Sequence, residues 1–366
     1  MEELHDEDSA QAIRDFVRNN PDIDVNQYIR RGCNGDVYFG RRKKMGDEVV
    51  LKFYWSHPNY DSTEEAVILK NIKHDNILEI YDLRFLPPYY AYFLTPKISG
   101  GDLQGIIDSR RLSSMESLEI ISGILLGLTE LHSAHKLVHR DLKPGNILIN
   151  LSDGKPIIAD LGAVKKIDSA DGCVTASKST YLYLPPESVI NNEYYFQSDI
   201  YQVGIIMFQL LGGYFPINEQ LKWLTKRESK QIDSIKNTSE KYNQFEEIIG
   251  KKIVKGIIAD TNTLPYYLDS GFKRVLNKAL NLQYDKRFKN TSLFLKEIHH
   301  LQRNCPDYIN EADRLIIKHE GGKQYQIYQN RKKEIVLEKS IANGLWRKDN
   351  SHNGSVTSAL SIARIK

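Results

Sequence analysis

The chain has 366 residues, 41% hydrophobic and 27% charged, a globular balance with room for one large core or two modest ones. A net charge of +3 points to neither a nucleic-acid nor a membrane-surface binder. Cys33, Cys173 and Cys305 have no metal-ligand spacing and are too few for a disulfide framework, which suits a reducing cytoplasmic setting. The acidic start, Met1 to Asp8, lacks the apolar stretch of a signal peptide. The most apolar segment, Ile120 to Leu131, is too short to span a bilayer, so the chain is expected to act in solution.

In chain order, Ser9 to Asn20 reads as a short helix with Ser9 as N-cap, stopped by Pro21. Val25 to Arg30 reads as a strand. The glycine-rich turn that follows, Gly32-Cys33-Asn34-Gly35-Asp36-Val37, lets backbone N–H groups approach a phosphate, because its glycines carry no Cβ. Val49 to Lys52 is an apolar strand ending in a lysine. Thr63 to Ile72 has helical spacing at Val67, Ile68 and Ile72. Tyr89 to Leu94 is an aromatic strand, and Asp102, after Gly100-Gly101, suits the N-cap of a further helix.

Glu116 to His135 reads as a long buried helix leading into His139-Arg140-Asp141-Leu142-Lys143-Pro144-Gly145-Asn146, a loop carrying a carboxylate, a lysine and an amide. Fourteen residues past Asn146 stands Asp160-Leu161-Gly162. A hydroxyl attacks a phosphate when a base orients it and a held metal neutralises the triphosphate. Asp141 suits the base, Lys143 the counter-charge on the moving phosphoryl group, and Asn146 with Asp160 the metal ligands. The next segment, to Leu184, is polar and rich in hydroxyls. Asn218 to Gly250 reads as an amphipathic helical insert or a solvated excursion. In the basic tail, Leu315 to Ile317 and Tyr325 to Tyr328 look like a hairpin through Gly321-Gly322, with Ile335 to Leu337 as a third strand.

The octet and the Asp-Leu-Gly after it resemble the catalytic loop and metal-binding motif of eukaryotic-type (Hanks-type) protein kinases. The resemblance covers about residues 25–300. It implies an α+β, bilobal fold: an antiparallel sheet plus one helix in a small lobe (25–95), and a mainly helical large lobe (99–300) with an insert near 218–250. Residues 1–24 are left as a helical extension, and residues 303–366 as a small basic extension of open role, partly β.

ATP and Mg²⁺ or Mn²⁺ are the implied cofactors. Gly32, Gly35 and Val37 match the phosphate-covering loop, with Arg30 where its first glycine belongs. Val50 matches the residue against adenine, Lys52 the lysine on the α- and β-phosphates, and Glu65 its helix partner, with Glu64 competing. Counting back from Gly100 puts Thr95 at the gatekeeper and Pro96 and Ile98 at the adenine-pairing hinge, with Asp102 on the ribose. His139 and Arg140 are structural members of the catalytic loop. Thr175, Ser177 and Thr180 are candidate phosphate acceptors, Thr175 and Ser177 the best placed to give their charge to Arg140, and Thr180 is also expected to bond Asp141 and Lys143. Glu187 is expected to pair with Arg287 in the interior, and Asp199 to hold the catalytic-loop backbone.

Lys143, two residues after Asp141, implies serine/threonine specificity toward protein substrates, with self-association for trans-autophosphorylation as a further implication. Three rivals stand beside this reading: a pseudokinase, suggested by Arg30, Leu161 and Pro185; a small-molecule phosphotransferase; and tyrosine or dual specificity. Composition suggests a bacterial or mobile-element source.

Overall fold

The computed structural model describes residues 11–30, 36–55, 63–86, 90–168, 172–177, 181–217, 219–342 and 344–365. Helix α1 (11–18) precedes the strands β1 (Ile23–Arg30), β2 (Asp36–Arg42) and β3 (Glu48–Trp55). After helix α2 (Thr63–Asn71) come β4 (Asp82–Leu86) and β5 (Tyr90–Pro96). The five strands form one antiparallel sheet in the order β1-β2-β3-β5-β4.

Strand alternation gives this sheet two jobs. On one face Tyr38, Leu51, Phe53 and Tyr92 pack against Ile13, Phe16 and Val17 of α1, so the N-terminal helix is a lid on the sheet's core. The register puts Val37 opposite Lys52, Lys52 opposite Phe93, and Val50 opposite Thr95, so these five side chains share the other face. Phe93 there joins Leu69 and Ile72 of α2 and continues into the core of the larger lobe.

The larger lobe begins with α3 (Leu103–Ser109) and α4 (Ser114–Thr129), the latter closed at its N-terminus by a reciprocal Ser113–Glu116 capping box. Regular α-helix ends at Thr129, short of the expected His135. A wider π turn over Glu130–Ala134 takes its place and accompanies the burial of His132 against Asp199. Next, β6 (Leu137–Val138), β7 (Ile147–Ile149), β8 (Pro156–Ile158) and β9 (Lys165–Lys166) form two small pairs, β7 with β8 and β6 with β9. Gly127 lets α4 approach the lobe junction, since a Cβ there would lie 2.7 Å from the Asn76 carbonyl oxygen. A backbone bond from Leu78 N to Ile158 O (2.8 Å) joins the lobes, and one from Gly100 N to Ile149 O (2.9 Å) anchors the start of the larger lobe on β7.

Strand β10 (Val174–Thr175) pairs with β11 (Glu193–Tyr194), which follows α5 (Pro186–Asn191). Helix α6 (Phe196–Leu210) is almost wholly buried at the centre of the lobe. The insert consists of α7 (Lys226–Asp233) and α8 (Thr238–Val254), capped by Thr225 and Asn237. Ile249 and Ile253 of α8, with Trp223, pack beneath Leu182, Tyr183 and Leu184. Gly250 allows this approach, with Tyr181 Oη 3.1 Å from where its Cβ would stand. Helices α9 (Ser270–Ala279) and α10 (Thr291–Asn304) complete the lobe.

The tail is larger than the three strands expected. Strands β12 (Asp307–Asn310), β13 (Arg314–Lys318), β14 (Lys323–Gln329), β15 (Ile335–Ile341) and β16 (Arg347–Lys348) form a five-stranded antiparallel meander, and α11 (Val356–Ala363) follows it. Tyr308, Ile317, Tyr325, Leu337 and Leu360 share one continuous core with Leu118 of α4 and Phe272 of α9. Polar clasps reinforce this contact. Asp307 Oδ1 accepts from Met115 N at 2.9 Å, capping α4, while Arg364 pairs with Asp269 at 3.2 Å and Tyr308 Oη donates to Asp269 at 2.6 Å. The tail is therefore an integral layer of the larger lobe. No helix among the described residues is long and apolar enough to cross a membrane.

Candidate active site

The site forms where the cleft face of the first sheet meets the loop 139–146. That loop's backbone hangs from the buried helix α6. Asp199 accepts from His139 N at 2.9 Å and from Arg140 N at 3.0 Å, and Gln202, one turn further on, accepts from Leu142 N at 2.8 Å. Asp199 is itself held by His132 Nε2 at 2.7 Å and by the Tyr194 hydroxyl at 2.6 Å. Burial alone would raise its pKa, but the His132 hydrogen bond and charge, with help from His139 and Tyr194, hold it below the ordinary carboxylate value. Tyr194 moves the other way, pushed well above its usual range by burial and by the Asp199 charge. His139 spans the loop's base, its Nε2 3.0 Å from Ala159 O, next to Asp160.

On this frame the chemical groups converge. Lys143 Nζ donates to Asp141 Oδ2 at 2.9 Å, and Asn146 Nδ2 donates to the Asp141 backbone oxygen at 2.7 Å and to its Oδ2 at 2.9 Å. The second carboxylate oxygen, Oδ1, is buried with no hydrogen-bond partner among the described residues. An unsatisfied buried acceptor on an otherwise saturated carboxylate is where an incoming hydroxyl would donate. Asp160 adopts a left-handed backbone (φ 58°), uncommon for a non-glycine residue, and forms an ion pair with Lys52 of β3. That pair ties the sheet to the larger lobe across the cleft. Leu161 behind it is buried in the main core.

The donor set is oxygen-rich. The Asn146 amide nitrogen is committed to Asp141, which leaves its oxygen as the ligating atom, and Asp160 supplies a carboxylate. Two protein oxygens beside a lysine suit a hard divalent cation that takes its other ligands from phosphates and water. The described residues contain no cluster of three or more His, Cys, Asp or Glu able to hold a metal unaided.

Other expected site residues fall as follows. Val37, Val50, Lys52 and Thr95 share the cleft face of the sheet, and Pro96 and Ile98 lie at the junction, half-buried. Asp102 N-caps α3, accepting from Gly105 N at 2.9 Å. Glu187 and Arg287 form a buried bidentate pair at 2.8 and 2.7 Å, with the guanidinium over the Tyr201 ring. Thr175 is exposed in β10, directly opposite Glu193, and Ser177 is half-buried beyond it. Gly32, Gly35 and Thr180, and the side chains of Arg30, Glu64 and Glu65, lie outside the described residues.

The support given by His132, Tyr194 and Gln202 escapes sequence reasoning. For Gln202 a signal exists, because it lies three residues from Asp199 and so on the same helix face. His132 and Tyr194 carry no comparable signal.

A sequence model of the protein kinase domain matches residues 23–298. The chain is 31% identical over 241 residues to a probable serine/threonine-protein kinase PknB of Lactococcus lactis, covering 63% of this chain and 38% of that protein. It is 27% identical over 267 residues to CBL-interacting serine/threonine-protein kinase 15 of Arabidopsis thaliana, covering 70% of this chain and 56% of the relative. A mitogen-activated protein kinase, pmk-2 of Caenorhabditis elegans, is 31% identical over 227 residues, with 54% and 53% covered. The chain thus spans between about two fifths and just over half the length of these relatives.

Proposed function

The chain belongs to the protein kinase family, and from that premise we propose that it transfers the γ-phosphate of ATP to serine and threonine hydroxyls of proteins. The observation that carries the proposal is the joining of two distant parts of the chain. Lys52 of the first sheet pairs with Asp160, beside a loop on which Lys143 and Asn146 both bond Asp141. Holding two lysines and two carboxylates this close in a partly buried cleft costs desolvation, which supports a site made to take up phosphate and metal.

The geometry supports one division of labour best. Lys52, released from Asp160 when nucleotide enters, is placed to hold the phosphates nearest adenine. Asn146 and Asp160 would hold Mg²⁺ or Mn²⁺, which supplies neutralisation of the triphosphate charge when bound. Asp141 Oδ1 accepts the substrate hydroxyl's hydrogen bond and orients its oxygen. Lys143, already 2.9 Å from Asp141 Oδ2, balances charge on the group in transit. Thr175 and Ser177 are the proposed autophosphorylation sites, and self-association would bring one copy's segment to the other's Asp141.

Incubation of the purified chain with Mg²⁺ and γ-labelled ATP, beside Asp141→Ala, tests this reading, with phosphosites mapped by mass spectrometry. Label on serine or threonine in the wild type alone is the expected result. Label on tyrosine would revise the specificity. Nucleotide binding with no transfer to any protein would make the chain a nucleotide-binding scaffold.

A further inference from the structure

The chain's modest net charge conceals an uneven distribution. Residues 314–366 hold eleven lysines and arginines against four carboxylates, a net +7, which with +3 overall leaves −4 on the rest of the chain. The excess lies on the meander and α11, a layer with no part in the site above.

One end of that layer is also apolar. Among the described residues Leu345 is the most exposed large apolar side chain, at 87%, with Ile341 at 70% and Ile365 at 65%. The fold gathers the three. Strand β14 opens with Lys323 opposite Ile341, and Lys323 Nζ donates to Ile365 O at 3.3 Å. The register of β15 with β16, Lys339 opposite Arg347, leads Leu345 toward Ile341. Ala342 N donates to Gly322 O at 3.0 Å, which ties the turn between β13 and β14 to the chain leaving β15. Cations border this tip: Lys318 ends β13, Lys323 begins β14, and Arg347 and Lys348 follow Leu345 in β16. Of the carboxylates nearby, Glu320 is exposed in the first turn and Asp349 pairs with Lys339 at 3.2 Å.

We propose that this tip docks the chain on an anionic lipid bilayer, with the three aliphatic side chains entering the headgroup boundary and the cations resting on lipid phosphates. Apolar contact and positive charge are the two signals that reversible attachment to a membrane surface needs together. Half-buried Trp346, beside Leu345, suits the same boundary, where indole rings concentrate. Charge alone would also suit an acidic protein. Side chains that protrude from separate turns, however, fit a fluid surface that closes round each of them better than a folded partner. The attachment is peripheral, in keeping with the lack of a spanning helix among the described residues.

The full chain is sedimented with vesicles of phosphatidylcholine alone, and of phosphatidylcholine and phosphatidylserine at about three to one, and the bound fraction is read against lipid concentration. Binding to the anionic vesicles only, weakened by salt, is the expected result. Leu345→Ser with Ile365→Ser, both outside helices and strands, should weaken it about tenfold at an unchanged melting temperature. Arg347→Gln with Lys348→Gln should weaken it more than tenfold, at about fivefold for each charge removed. Arg331→Gln with Lys332→Gln makes the same charge change beyond the other end of β14. That is about 23 Å away at about 3.3 Å per residue, well past the screening length of about 8 Å, so affinity should stay within about twofold. The proposal is overturned by an absence of binding to the anionic vesicles, by an equal loss from both pairs of charge variants, or by binding that Leu345→Ser with Ile365→Ser leaves untouched. Binding of soluble polyglutamate but not of vesicles, lost in Arg347→Gln with Lys348→Gln, would give the tip to an acidic protein instead. The readout involves no phosphate transfer, so its failure leaves the kinase reading standing.

Discussion

The catalytic loop and the segment after Asp160 are neighbours with opposite construction. Three backbone N–H groups of the loop, from His139, Arg140 and Leu142, end on two buried side chains of one central helix. Asp199, the chief of these, is fully buried and bonded on both oxygens. The described stretch 172–177 is held by a two-residue strand pair and one further backbone bond, from Ala176 N to Asn192 O at 3.0 Å. The proposed chemistry, which depends on position, is built on the rigid element, and the hydroxyls proposed as phosphate acceptors sit on the weakly held one. Tyr194 and its neighbour Glu193 form the seam: Tyr194 bonds Asp199, while Glu193 faces Thr175.

The largest break in this contrast should come from Asp199→Ala. It leaves two loop N–H groups and His132 without their buried partner, at a cost of about 3–5 kcal/mol, and urea denaturation should show the loss together with that of phosphate transfer. A stability change no larger than that of a surface substitution would mean the loop does not hang from α6. Next, Tyr194→Phe removes one hydrogen bond to the carboxylate, with an expected loss of about 1 kcal/mol in the same measurement.

Acid sharpens the same point. Because the folded pKa of Asp199 is depressed, its contribution is complete above the unfolded value of about 4 and is lost as pH falls through the folded value. The stability gap between wild type and Asp199→Asn should therefore shrink between about pH 4 and lower pH; a gap that widens there would reverse the assignment. The smallest effect is expected at the other region. Thr175→Glu puts a carboxylate opposite Glu193, a like-charge pair that destabilises by roughly 0.2–1 kcal/mol. It should speed limited proteolysis within 172–177 while leaving the global melting point and the protection of 139–146 unchanged. Equal protection of the segment in both proteins would contradict the weak hold ascribed to it.

Much of this was legible because the functional groups are local in sequence. Asp141, Lys143 and Asn146 occupy one loop, and the expected pairing of Glu187 with Arg287 rests on two short, specific stretches. The contacts that escaped are those that only folding creates. His132 reaches Asp199 through a π turn, where a plain helix was expected, and periodicity carries no mark of that change. The tail's outer strands were hidden for another reason. Strand β16 is two exposed basic residues, and β12 mixes Asp307 and Asn310 with Tyr308 and Ile309, so neither shows an apolar alternation. The tail's tie to α4, Asp307 on Met115, joins residues nearly two hundred apart.

The most direct test of the account is the turnover of Asp141→Asn against wild type on one serine peptide that the wild type phosphorylates, with Mg²⁺–ATP affinity measured on both proteins. The account predicts that transfer falls by about a hundred- to ten-thousandfold, the range of a positioned acid–base group, with nucleotide affinity and melting temperature unchanged. Transfer that persists at the wild-type rate would show that Asp141 does not orient the hydroxyl.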